Sequence, residues 1–135
     1  EMIKEKDLVH EVRFEGRLDE REKDELLASS HVLLHSSVRE GWGLNVIEAN
    51  CMGTPAVVYP VPGLIESTIH EETGLVAKRE TPDALADEVD RLFNDPELYR
   101  KCRHAAWLRS SEFHWDRILP RACEWLEDQA LRGRG

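Results

Sequence analysis

Two carboxylates frame the stretch of this sequence best suited to chemistry. Glu40 and Glu48 stand on either side of Gly41-Trp42-Gly43-Leu44-Asn45-Val46-Ile47. Glu48 is the only charged residue between Leu44 and Gly53, in a helical pattern that otherwise has to pack. A carboxylate there needs a partner, because an unpaired buried charge is costly. Three readings are open: it reaches solvent, it pairs with Arg39, or it accepts hydrogen bonds from ligand hydroxyls. Glu40 lies in the loop before the helix, as a solvated loop charge or as the acceptor for a second polyol. Gly41 and Gly43 let the backbone turn tightly and come close to a ligand. Leu44 then starts a helix, whose first N–H groups and positive dipole end suit a phosphate. Trp42, between the glycines, either packs or touches ligand.

These residues need a scaffold, and the hydrophobic pattern supplies one. Four short apolar stretches read as strands: Val12 to Phe14, Val32 to Leu34, Ala56 to Tyr59 and Leu75 to Ala77. Three are continuous apolar runs, as in strands of a parallel sheet covered on both faces. Asp19, with Glu22 three residues on, opens a helix through a capping box and runs towards Ser29. Leu44, Ile47 and Cys51 share one face of a second helix, which Gly53 and Pro55 terminate. Thr81-Pro82 opens a third, with Leu85, Val89, Leu92 and Phe93 on one face. Asp95-Pro96 opens a fourth, and the last runs from about Trp115, where Pro120 should kink it or mark its true start. The stretch from Ser36 to Pro55 thus follows a strand, at the end of the sheet where open α/β folds bind ligands. Strand and helix alternate at spacings of ~20 residues, which gives a parallel doubly wound sheet. After Ala77 only helices follow, with 96–131 as a C-terminal helical part and a frayed tail from Leu131 to Gly135.

Composition narrows the function classes. The 135 residues carry 18 Lys plus Arg against 27 Asp plus Glu, a formal charge of −9. An acidic balance without clustered Lys and Arg argues against a nucleic-acid surface. No apolar run approaches the ~20 residues of a membrane span. Cys51, Cys102 and Cys123 lack metal or paired spacing and read as reduced thiols in a cytoplasmic setting. The six histidines form no ligand set, so no metal is expected. Ser36-Ser37 lacks the surroundings of a nucleophile elbow. Trp107, Trp115 and Trp125 read as packing residues of the terminal helices, and Glu20 to Glu25 as a solvated helix face.

The spacing Glu40-x7-Glu48, with Ala49, Gly53 and Thr54-Pro55 before the next strand, resembles the E-x7-E signature of retaining GT-B glycosyltransferases. The likeness is to the large group 1 family, glycosyltransferase family 4, in its C-terminal, donor-binding domain. Val12-Arg-Phe-Glu-Gly16 resembles that family's V-x-F-x-G strand. Pro62-Gly63-Leu64-Ile65-Glu66 resembles its G-G-x-x-E loop, and Glu72-Thr73-Gly74-Leu75-Val76 its T-G-L-L-V strand. Pro62 stands where the loop has its first glycine.

The resemblance implies a Rossmann-like parallel sheet of about four strands flanked by helices, and a site for a UDP- or GDP-linked sugar. Glu48 would hold ribose hydroxyls, and Glu40 would bind and orient the transferred sugar. Backbone N–H groups of Gly43, Leu44 and Asn45 would carry the diphosphate, with Gly41, Trp42, Gly63 and Glu66 as further donor contacts. The loop around Arg17 and Leu18 would lie near the base. Transfer would retain the anomeric configuration without metal or other cofactor. The family's phosphate-binding Arg and Lys come from a segment before the V-x-F-x-G strand, which this chain does not match. Residues 1–135 therefore read as one N-terminally truncated domain, inactive without an N-terminal acceptor domain and prone to self-association. The alternatives are another GT-B enzyme, a sugar-nucleotide epimerase or phosphorylase, and a non-catalytic α/β binding module.

Overall fold

A computed structural model describes residues 1–133. A short helix α1 (Met2–Glu5) precedes α2 (Glu20–Ser29), β1 (Leu33–His35), α3 (Leu44–Cys51), β2 (Ala56–Val58), α4 (Pro62–Ser67) and β3 (Gly74–Val76). Then come α5 (Pro82–Asn94), α6 (Pro96–Ser110), a 3-10 turn (Ser111–Phe113) and α7 (Trp115–Arg132). The sheet is parallel, in the order β1-β2-β3, with Leu33 beside Ala56 and Val58 beside Val76. This is the expected α/β arrangement, a parallel sheet flanked by helices.

The sheet has three strands rather than the expected four. Val12 to Phe14 forms no strand, and Phe14 is 83% exposed. A strand exists through its neighbour's hydrogen bonds, and among the described residues no strand pairs with that stretch. A second difference falls at Pro62 to Glu66. The expected loop is the helix α4, begun by Pro62 in its first turn, where a missing N–H costs nothing.

Elsewhere the local chemistry gives the expected elements. Asp19 accepts from the Glu22 amide at 2.8 Å, and the Glu22 carboxylate accepts from the Asp19 amide at 2.9 Å. Thr81 and Asp95 cap α5 and α6 ahead of Pro82 and Pro96. Helix α7 continues through Pro120 to Arg132, past the point where fraying was expected to begin; residues 134–135 of that tail lie outside the described residues.

The core sits around β2. Val57 and Val58 are fully buried, with Leu64 of α4, Leu75 of β3 and Leu92 of α5 against them. Each such side chain stabilises the fold by about 1.5–3 kcal/mol on burial. Gly74 lets β3 begin against β2, since a side chain there would meet the Ala56 oxygen at 2.2 Å. Thr73 Oγ1 accepts from the Ile69 amide at 2.9 Å, closing the turn into the strand. Thr54 Oγ1 donates to the Leu27 carbonyl at 2.6 Å and holds the end of α2 against the turn before β2.

Candidate functional site

The loop after β1 carries the chain from His35 to Gly43, at the carboxyl end of the sheet. Gly43 is the N-cap of α3 at φ +76, a left-handed conformation that favours glycine. A side chain there would also meet Ser67 Oγ at 2.8 Å and Leu64 Cδ2 at 2.9 Å. One at Gly63 would lie 2.3 Å from the Glu40 carbonyl oxygen and 2.7 Å from the Gly41 carbonyl carbon. The loop therefore lies directly on α4, with two glycines at the contact. Gly41, Leu44 and Asn45 are exposed around the start of α3. The first amides of a helix have no intrahelical acceptor and point outward with the positive dipole end.

The two carboxylates stand at the ends of this segment in different surroundings. Glu40 Oε1 accepts from the Gly41 amide at 3.0 Å. Its other oxygen lies 3.5 Å from His35 Nε2, and the two side chains are 29% and 11% exposed. His35 Nε2 is buried and makes no hydrogen bond among the described residues. Glu48 is 43% exposed, and its Oε1 accepts from Lys23 Nζ at 3.1 Å. Lys23 also donates to Glu20 Oε2 at 2.8 Å. These two hydrogen bonds, Glu20's first and then Glu48's, raise the ammonium pKa above the ordinary lysine value.

Arg39, the cation the sequence offers to Glu48, is exposed and makes no ion pair with it among the described residues. Lys23 takes that place, although residues 20–25 read as a solvated face. A pattern for it exists: Lys23 and Leu27 are one turn apart on α2, and Leu27 is half-buried with its carbonyl on Thr54. His35 is the other neighbour that the sequence does not single out, as one of six histidines that form no ligand set.

The remaining candidates divide. Gly63 is buried beneath the loop and meets it through the backbone of Glu40 and Gly41. Glu66 is exposed, and its carbonyl accepts from Arg109 Nη2 at 2.9 Å. Trp42 is half-buried, edge-on to Phe113 with ring centroids 4.7 Å apart. Leu18 lies in a groove with Arg13, Glu22 and Leu26, on the flank of α2.

An apolar groove of about 340 Å³ lies on the other side of α3, lined by Ile47, Cys51, Trp107 and Phe113. A more polar one of about 690 Å³ lies beyond β3, among Thr68, His70, Glu71, Lys78 and Arg91. The Glu40–Glu48 segment is instead an open shelf. Among the described residues no group of three or more His, Cys, Asp or Glu is placed to hold a metal, and no helix is long and apolar enough to cross a membrane.

Such a shelf can accept hydroxyl donors at both ends and an anion in between. Residues 1–109 match the model of the family described as glycosyl transferases group 1. A D-inositol 3-phosphate glycosyltransferase of Corynebacterium diphtheriae is 32% identical over 111 residues, covering 80% of this chain and 25% of the relative. Among solved structures, sucrose-phosphate synthase from Thermosynechococcus elongatus superposes with a TM-score of 0.87 at 28% identity, over 97% of this chain and 33% of that one. HepE of Anabaena, in complex with UDP and glucose, gives 0.84 at 23% identity, over 93% and 34%. The chain thus spans a quarter to a third of the length of these relatives, and it matches the C-terminal portions of the GT-B enzymes. With residues 1–109 matching the family's model, most of the sequence, the chain belongs to the group 1 glycosyl transferases.

Proposed function

We propose that these residues form the donor half of a retaining glycosyltransferase that uses a UDP- or GDP-linked sugar. The observation that carries this reading is the order Glu40, glycine-capped helix start, Glu48 along one exposed shelf. Glu48 accepts hydrogen bonds from the ribose hydroxyls, which enter beside Lys23. A carboxylate suits this because its two oxygens accept from vicinal hydroxyls. The amides of Leu44 and Asn45 take the diphosphate and stabilise the charge that builds on it as the glycosidic bond breaks. Glu40 accepts from hydroxyls of the transferred sugar and holds its anomeric carbon towards the acceptor. Its task is orientation, which lowers the barrier by fixing the reacting geometry. No metal takes part, and the cations for the donor phosphates come from outside these residues. HepE, bound to UDP and glucose, supports the nucleotide-sugar class. The acceptor sits on a further domain, so this chain alone binds donor without completing transfer. The three free thiols fit a reduced cytoplasmic setting.

Ligand-observed NMR of the 135-residue chain with UDP, GDP and ADP tests the reading. One nucleotide is expected to bind, and Glu48→Ala should weaken it about tenfold or more, the worth of a charge-assisted hydrogen bond. Binding unchanged in Glu48→Ala, or no binding of any nucleotide, overturns it.

A further inference from the structure

We propose that Phe113 and Arg109 form a strut that fixes the 40–43 loop, so that the root of α7 sets the shape of the donor shelf. Its relevance to binding rests on the donor-site reading above; the strut itself does not. The backbone of the loop rests on α4 at Glu40 and Gly41. Trp42 stands between two glycines, and around Gly41 a side chain would find nothing within 4 Å. What holds Trp42 is the edge-on contact with Phe113, at 4.7 Å and an interplanar angle of 68°. That is a favourable arrangement for two rings.

Phe113 is itself held from behind. The Arg109 guanidinium lies 5.1 Å from the centre of its ring, within cation–π reach. The same guanidinium donates from Nη1 to the Ser67 carbonyl at 2.6 Å and from Nη2 to the Glu66 carbonyl at 2.9 Å. Those are carbonyls at the end of α4, the helix on which the loop rests through Gly63 and Gly43. One planar cation thus ties the support beneath the loop to the ring beside it. Lysine could not reproduce this, having no flat fork to span two carbonyls and stack on a ring. Phe113 closes the 3-10 turn, and α7 starts two residues later at Trp115. Displacement of that turn therefore moves the ring on which Trp42 leans.

The test reads the loop directly. In the free 135-residue chain, backbone ¹⁵N relaxation should give Gly41, Trp42 and Gly43 order parameters of rigid backbone, about 0.85. In Phe113→Ala they should fall towards about 0.6, while the amides of β1 to β3 keep their values. Phe113→Tyr, which keeps the ring, should restore the loop, and Arg109→Lys should loosen it. UDP-glucose, used as the probe, should bind about tenfold more weakly to Phe113→Ala and like the unsubstituted chain to Phe113→Tyr. Loop amides that stay rigid in Phe113→Ala overturn the strut, as does equal loosening of the whole sheet. A loosened loop with unchanged UDP-glucose affinity overturns its part in binding. If the unsubstituted chain itself fails to bind any nucleotide, the donor-site reading falls, and the relaxation data still decide the strut.

Discussion

Lys23 Nζ bridges two carboxylates, 2.8 Å from Glu20 Oε2 and 3.1 Å from Glu48 Oε1. Helix α2 thereby reaches across to the residue that stands at the far end of the shelf. The bridge raises the ammonium pKa in the folded chain above the unfolded value of 10.5. A raised pKa of this kind contributes stability that is complete below the unfolded value and lost as pH rises through the folded one. Lys23→Gln should therefore lower Tm by a small, constant amount from pH 6 to 9, because the pair is partly solvated. Above pH 10.5 the difference from the unsubstituted chain should shrink. Melting curves at pH 7, 9 and 11 check this; a difference that is as large at pH 11 sinks the assignment.

Acid acts through a different pair. Arg91 hydrogen-bonds Glu71 and holds its carboxyl below the usual 4.5. The stability this supplies is present above 4.5 and disappears as pH falls through the lower folded value. Glu71→Gln should lower Tm at pH 6, and the difference from the unsubstituted chain should shrink as pH falls below 4.5. Arg91→Ala should cost more at pH 6, since it also strips buried Glu88 of the guanidinium 3.4 Å away; an equal loss in both variants would show Glu88 to be indifferent to it.

Gly63 and Gly41 make a contrasting pair. Gly63→Ala places a methyl 2.3 Å from the Glu40 oxygen, whereas Gly41→Ala meets nothing within 4 Å. Alanine is the better helix former by roughly 1 kcal/mol, so propensity alone predicts that Gly63→Ala stabilises α4. The clash should win, with overpacking costing about 1–3 kcal/mol and several degrees of Tm. Gly41→Ala should be near neutral. Thermal melts of the two variants decide, and a Gly63→Ala chain as stable as its parent refutes the close approach of loop and helix.

The cysteines should separate by rate. Cys51 and Cys123 are exposed and Cys102 is buried, with burial pushing its thiol pKa up. At pH 8 a disulfide reagent should modify two thiols quickly and the third only on unfolding. Three fast equivalents would contradict the packing of α6 on the core.

Much of this was legible in the residues because it is written locally. Asp19 with Glu22, Thr81 with Pro82 and Asp95 with Pro96 each fix a helix start within four residues, and all three hold. The run Ala56 to Tyr59 is apolar throughout because β2 is covered on both faces. What was not legible depends on which elements meet. Val12 to Phe14 has strand-forming residues, but strand formation requires a neighbour. The four-residue spacing of Lys23 and Leu27 marks a face of α2, yet only the packing of α2 on α3 says that Lys23 meets Glu48. The contact of Phe113 with Trp42 joins residues 71 positions apart through the turn after α6. Pro62 and Gly63 read as loop through their resemblance to the G-G-x-x-E loop, whereas in the first turn of a helix both are tolerated and the close approach to Glu40 requires the glycine.

The interlock of Gly43 and Gly63 with the opposing helix and loop bears on how such enzymes can be recombined. Neither surface tolerates a change in the other's shape, so a loop transplanted from a relative would meet a foreign floor. Residues 40–67, with α3, β2 and α4 between their ends, make the smallest cassette that carries its own seat, and chimeras cut inside it should lose the shelf while those cut at its borders keep it.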